Sequence, residues 1–259
     1  MPMVEWFAQN ILFMPEVDSV RGKDVDALMV YIHWLMIALF IGWTLYFIYA
    51  LWRFNARRSP KADYDGSKSH LPKGIEIGVV VAEAVLLVGV GIPIWAKNVQ
   101  DFPKPEDSTV IQIMAQQFAW NARYPGPDKT FGRQDMRLIS NDNIFGVDPA
   151  DPAGKDDVQV LNEIHVVVNK PVLIYLSSKD VIHSFKLVAM RLTQDAIPGL
   201  RIPCTFTPTK IGRYQIECAQ LCGNGHAAMA GGFVVVQSQE NFDNWLKSKS
   251  AAPAPASFE

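Results

Sequence analysis

From Ala27 to Trp52 the chain runs for 26 residues without an aspartate, glutamate, lysine or arginine. A stretch that apolar satisfies its own backbone amides in lipid only as a helix, and at about 1.5 Å per residue it exceeds a hydrocarbon core of roughly 30 Å. Trp34, Trp43 and Trp52, with Tyr31, Tyr46 and Tyr49, supply the aromatic side chains common at membrane interfaces. A second apolar stretch, Ile77–Trp95, spans 19 residues and is interrupted only by Glu83. Its Gly78, Gly89, Gly91, Ala82 and Ala84 suit close helix packing. Between the two, Arg53, Arg57, Arg58, Lys61, Lys68 and Lys73 outnumber Asp63 and Asp65, which puts this link on the cytoplasmic side and both termini on the other. Residues 1–24 lack a basic start, and the apolar run Ile11–Met14 is too short for a secretory h-region, so the first span is expected to act as an uncleaved anchor.

Beyond Trp95 the pattern changes to short runs of β-branched and aromatic residues separated by Pro, Gly and Asn-Asp clusters. Val110–Met114, Phe118–Tyr124, His165–Val168, Val172–Ser177, Ser184–Leu187, Arg213–Cys218 and Phe233–Val236 read as strands of a β-sandwich or barrel. The stretch Pro125–Gln159 reads as a long loop or insertion, and Asn241–Lys247 as a short terminal helix. The organisation expected is therefore an outer N-terminal segment (1–26), a helical hairpin (27–97), a β-domain (98–247) and a loose Ala/Pro tail (248–259). Hydrophobic residues make up 49% and charged residues 19%, a balance that leans toward a membrane protein. A net charge of −2 with no basic face excludes nucleic acid as the expected partner.

The three cysteines are too few for a disulfide framework. Two of them fall in Glu217-Cys218-Ala219-Gln220-Leu221-Cys222-Gly223-Asn224-Gly225-His226-Ala227-Ala228-Met229, spaced C-x3-C-x3-H-x2-M directly after a strand. Thiolate, imidazole and thioether together suit copper, with methionine as the usual weak axial ligand. Two cysteines allow a pair of bridged ions, which requires a second histidine; His183, in Asp180-Val181-Ile182-His183-Ser184-Phe185, stands at a strand end 35 residues before Cys218. Zinc on Cys218, Cys222, His226 and His183 is the main alternative, and a Cys218–Cys222 disulfide a second. His33, His70 and His165 have no ligand neighbours in sequence, and Cys204 reads as a small buried residue.

The hairpin, the ligand loop and His183, together with Thr193-Gln194-Asp195-Ala196-Ile197-Pro198-Gly199 and Gly212-Arg213-Tyr214, resemble subunit II of the haem–copper cytochrome c oxidases over about residues 27 to 247. The resemblance implies an α+β membrane protein, a two-helix hairpin followed by a cupredoxin-like sandwich or barrel holding the binuclear copper centre CuA. It implies Cys218 and Cys222 as bridges, His183 and His226 as terminal ligands, and Met229 and the Gln220 carbonyl as weak axial ligands. Electrons would come from cytochrome c or a similar donor and pass to haem in the large subunit I, where oxygen is reduced. No C-x-x-C-H occurs, so no haem is expected on this chain. The implied setting is a bacterial-type inner membrane, crossed more than once, with the copper domain on the periplasmic side and lipid and other oxidase subunits as neighbours. A related nitric oxide reductase, or a membrane-anchored copper-binding assembly protein, would be the competing assignments.

Three departures from the family pattern stand out. Gln220 occupies the position where the family has a glutamate that helps bind magnesium, leaving Asp195 as the matching residue near that site. The stretch Gln117-Phe118-Ala119-Trp120 replaces the usual Trp-Tyr-Trp, so Phe118 or Trp120, expected on one face of a strand, becomes the candidate for electron input. Glu76 matches a carboxylate near the mouth of a proton path, and Glu83, unusual within a span, falls seven residues later on nearly the same helix face. Both are expected to face the large subunit.

Overall fold

In the computed structural model the described residues are 2–61, 64–65 and 69–250. Asp63 and Lys68 of the basic link, and residues 251–259 of the expected tail, lie outside them. The chain divides into two units: Met1–Met14 with Asp24–Lys97, and Pro15–Lys23 with Asn98–Glu259.

The first unit is helical. A short helix, α1 (Pro2–Asn10), occupies part of the N-terminal segment in which sequence alone suggested no element. The long helix α2 (Gly22–Arg53) contains the whole first apolar stretch. The second stretch lies in a continuous helical run of 29 residues, Leu71–Val99, made of α3 (Leu71–Ala84), a π-helical turn (Val85–Gly91) and α4 (Ile92–Val99). Pro93, at the start of α4, lacks an amide hydrogen and crowds the carbonyl one turn back, and local widening of the helix accommodates both effects. Both runs are long and apolar enough to cross a membrane.

The second unit is a sandwich of three open sheets, with no closed barrel among the described residues. One sheet has five strands in the order β3 (Val158–Leu161), β2 (Ala119–Tyr124), β1 (Thr109–Gln116), β5 (Val172–Ser178) and β8 (Ile202–Phe206). A second holds β10 (Glu217–Cys218), β6 (His183–Leu187) and β7 (Leu192–Ala196). The third holds β4 (Glu163–Val167), β11 (Phe233–Gln237) and β9 (Gly212–Gln215). Alternation along the strands sends one side chain in two inward, so Ile111, Ile113 and Ala115 of β1 and Trp120, Ala122 and Tyr124 of β2 meet Phe185, Ile164, Val166, Val234 and Val236 in one core. The C-terminal helix α5 (Gln239–Ser250) extends beyond the expected Asn241–Lys247 and takes in residues 248–250 of the expected tail. It is pinned by Trp245, which stacks on His165 at 4.1 Å and meets Tyr124 edge-on.

The other face of the five-stranded sheet is covered by residues 125–157. This insertion has its own small core, Ile144, Phe145 and Val147 against Met114. The fully buried Arg123 anchors it, donating to Asp157, to the Gly132 carbonyl at 2.9 Å and to Gln112 at 3.2 Å. Pro15–Lys23 is tied to the sandwich too: the Asp18 amide donates to the Ala189 carbonyl at 2.8 Å, and the buried Ser19 hydroxyl donates to that of Met190 at 2.7 Å.

Candidate metal centre

The strand β6 begins at His183, and β10 pairs against it with Cys218 opposite Phe185. One further bond, from the Ala219 amide to the Ser184 carbonyl at 3.0 Å, carries the pairing past the strand end and brings Cys218 Sγ to 3.9 Å from His183 Nδ1. The chain then reverses through Gly223, whose φ of +134° is open mainly to glycine. A 3-10 helix, His226–Gly231, follows. With three residues per turn, it stacks His226 and Met229 on one side, toward the cysteines. Cys222 Sγ lies 3.4 Å from both His226 Nδ1 and Met229 Sδ, and Met229 Sδ lies 3.1 Å from His183 Nδ1.

The two cysteine sulfurs are 3.9 Å apart, and all three cysteines are free, whereas a disulfide needs about 2.05 Å. The donor atoms of His183, Cys218 and Cys222 fall within 4.8 Å of one another. His183 and Met229 are wholly buried, Cys222 nearly so, while Cys218 and His226 are half-buried. Gln220 is exposed, and its backbone carbonyl lies 3.2 Å from Cys218 Sγ. This donor set, three sulfurs and two imidazoles without a carboxylate among them, fits a soft copper ion. A thioether held against both His183 and Cys222 is foreign to tetrahedral zinc.

Surrounding contacts orient the donors. Asp180 Oδ1 lies 2.9 Å from His183 Nε2, which directs Nδ1 toward the sulfurs. Burial raises the Asp180 carboxyl, but hydrogen bonds from the Gln117 amide, His183 and the Val181 amide outweigh it and hold the group below its ordinary range. Burial, reinforced by the neighbouring Cys218 sulfur, pushes the Cys222 thiol up to about 11. A metal must therefore displace a firmly held proton there.

Trp120 is fully buried beneath the cluster; its indole N–H donates to the Met229 carbonyl at 3.1 Å and its ring meets His183 at 6.2 Å. Phe118 belongs to the β1–β2 turn rather than to a strand, so the expected shared strand face with Trp120 does not form; β2 starts only at Ala119. The Phe118 ring, half-buried, fills the space beside Gly223 and Gly225, where a side chain on either glycine would press against it. Asp195 lies on β7 opposite Ser184, one register step from the Ala196–His183 pair. Glu76 and Glu83 are on α3, in the helical unit, and both are exposed in the isolated chain. Sequence reasoning missed Gln117 and Asp180. Asp180, three residues before His183, was within reach by spacing, whereas Gln117 has no sequence signal because its contacts cross between strands.

An apolar helical anchor joined to a β-sandwich that gathers two cysteines, two histidines and a methionine at one pole defines a membrane-anchored copper protein of cupredoxin-like architecture. The family described as cytochrome c oxidase subunit II, periplasmic domain, matches residues 109–238. The alternative cytochrome c oxidase subunit 2 of Bradyrhizobium diazoefficiens is 32% identical over 83% of this chain and 76% of its own. A probable cytochrome c oxidase subunit 2 of Rickettsia prowazekii is 33% identical over 95% of this chain and 75% of its own. The crystal structure of the periplasmic domain of subunit II from Bradyrhizobium japonicum superposes with a TM-score of 0.41 at 26% identity, covering 57% of this chain and 96% of that one. The chain belongs to the cytochrome c oxidase subunit II family. It is the electron-input subunit of a respiratory cytochrome c oxidase, works beside other oxidase subunits, binds copper and carries its copper domain on the periplasmic side.

Proposed function

We propose that Cys218 and Cys222 bridge two copper ions, each also bound by one imidazole, His183 or His226, with Met229 and the Gln220 carbonyl as weak outer donors. The observation that carries this reading is the convergence of His183, Cys218 and Cys222 donor atoms within 4.8 Å, with Met229 Sδ against two of them. When bound, such a pair supplies a one-electron couple whose added charge spreads over both metals, so little rearrangement accompanies reduction. The chain contributes rigidity: Trp120 fixes the Met229 carbonyl, Asp180 fixes the His183 ring, and burial of His183 and Met229 keeps water off that side.

The donor is a cytochrome c-type protein, and the acceptor is haem in the large subunit. Of the two aromatic candidates for electron input, Phe118, half-buried beside the ligand loop, lies nearer the surface, and Trp120 is too deeply buried for contact with a donor. The two apolar helical runs both cross the bilayer of a bacterial-type inner membrane, with the basic link on the cytoplasmic side. A magnesium ion at the interface with the large subunit would find Asp195 as an anionic donor and Gln220 as a neutral one.

Copper content and EPR spectra of the full chain in detergent test the metal assignment. Two coppers per chain and a mixed-valence spectrum that vanishes in Cys218→Ser are expected. One zinc, or a single copper that survives Cys218→Ser, overturns it.

A further inference from the structure

Two separate stretches supply the donors: His183 opens β6, and Cys218, Cys222, His226 and Met229 come from the β10 loop. Among the described residues Gln117 bonds toward both. Its backbone amide donates to Asp180 Oδ2 at 2.7 Å, while the other oxygen of the same carboxylate meets His183 Nε2 at 2.9 Å. Its side-chain Nε2 donates to the Cys222 carbonyl at 2.6 Å. Gly223, directly after Cys222, is packed so tightly on Gln117 that an added Cβ would lie 2.9 Å from Gln117 Nε2. Gln117 itself sits in the β1–β2 turn, exposed, and ligates nothing.

We propose that Gln117 is a positioning residue: it clamps the Cys222 end of the cysteine loop to the His183 strand, through Asp180 on one side and the Cys222 carbonyl on the other, past the point where the β6–β10 pairing ends at Ala219. The inference rests on the metal reading above but extends beyond it, because every bond of the clamp runs between protein atoms. It also ties the site to the turn that carries Phe118, so force on that turn reaches both ligand sets through two hydrogen bonds. The side-chain arm is the informative one. It holds the Cys222 carbonyl directly before Gly223, whose φ of +134° lets the chain turn there.

The test is Gln117→Met in the full chain, which keeps the side-chain length and removes only the donor. In the metal-free protein, alkylation of Cys222, mapped by mass spectrometry, is expected to run about tenfold faster, the factor for losing one hydrogen bond that restrains the loop. In the copper-loaded protein the reduction potential and the copper hyperfine pattern are expected to shift, with copper content unchanged. Asp180→Asn, the second variant, should move the potential and hyperfine pattern through His183 while leaving Cys222 alkylation as it was, since the Gln117 side-chain arm is intact. Unchanged alkylation and an unchanged spectrum in Gln117→Met overturn the proposal. If that variant fails to fold, an unchanged potential and spectrum in Asp180→Asn overturn it instead. Absence of copper from the wild-type chain would refute the metal reading, yet the alkylation comparison would still decide the clamp.

Discussion

Both nitrogens of the buried His183 ring have partners, Nδ1 toward Cys218 and Met229 and Nε2 toward Asp180, so the protein's own contacts set the ring's orientation. Cys204 offers the contrast. It packs in the core on β8, opposite Ile174 of β5, and burial alone pushes its thiol up to about 12 from an ordinary 9.0. The folded chain thus holds this proton where the unfolded chain releases it. A group whose folded pKa is raised adds stability that is complete below the unfolded pKa and is lost as pH climbs through the window up to the folded one. Tyr124 and Tyr214, both raised chiefly by burial, act in the same sense at higher pH. Moving from roughly pH 8 to pH 10 should therefore cost the wild type about 1.4 kcal/mol more than Cys204→Ala. Thermal unfolding of the metal-free protein in detergent across that range measures the difference. Parallel pH profiles for the two proteins would mean that Cys204 ionises alike in both states.

At the scale of elements, the insertion 125–157 depends on one buried ion pair. Arg123 and Asp157 side chains are both fully buried, and Arg123 also stacks on Phe131 at 5.3 Å. Asp157→Ala strands a guanidinium in the interior, with only Gly132 and Gln112 left to meet it. The expected loss is about 3 kcal/mol, with faster proteolysis confined to the insertion. A loss under about 1 kcal/mol would show that the two neutral partners suffice. Every strand with a neighbour on both sides, β1, β2, β5, β6 and β11, was legible in the sequence, and so were the edge strand β4, whose residues 164–167 are buried, and the run that holds β9 and β10. The strands that were not legible, β3, β7 and β8, are all at sheet edges. Leu192-Thr193-Gln194-Asp195-Ala196 is polar because one side of β7 has no neighbour, and Pro203 is tolerated in β8 for the same reason. Ile216 divides the single run expected over Arg213–Cys218 into β9 and β10, which join different sheets. The ligand residues were legible because their spacing is local. The Gln117 clamp was not, because residues 117, 180 and 222 meet only after three loops close.

At the scale of the whole molecule, residues 98–259 carry 17 acidic and 15 basic residues, too even a balance to project a strong field. Around the ligand loop the pattern is the same. Leu221, between Gln220 and Cys222, is 83% exposed; Val181 and Ile182, beside His183, are exposed as well; and the nearby Lys186 and Glu217 pair with each other at 3.1 Å. On the reading proposed above, a donor that approaches this pole would meet apolar side chains and a compensated charge pair. Such contact would rest on desolvation of a small apolar patch, which salt does not screen, rather than on long-range attraction, which it does. With the assembled oxidase and a cytochrome c-type donor, the second-order rate of copper reduction should fall by less than about threefold between roughly 20 and 200 mM salt, against tenfold or more for a steered pair. Leu221→Asp should slow the same step more than that salt change does. Its copper spectrum should be unaltered, because the Leu221 side chain is exposed to solvent rather than buried among the donors. Stopped-flow reduction at several ionic strengths separates the cases. A steep salt dependence in the wild type, unmoved by Leu221→Asp, would place docking on a charged face elsewhere and leave the apolar pole without a part in binding.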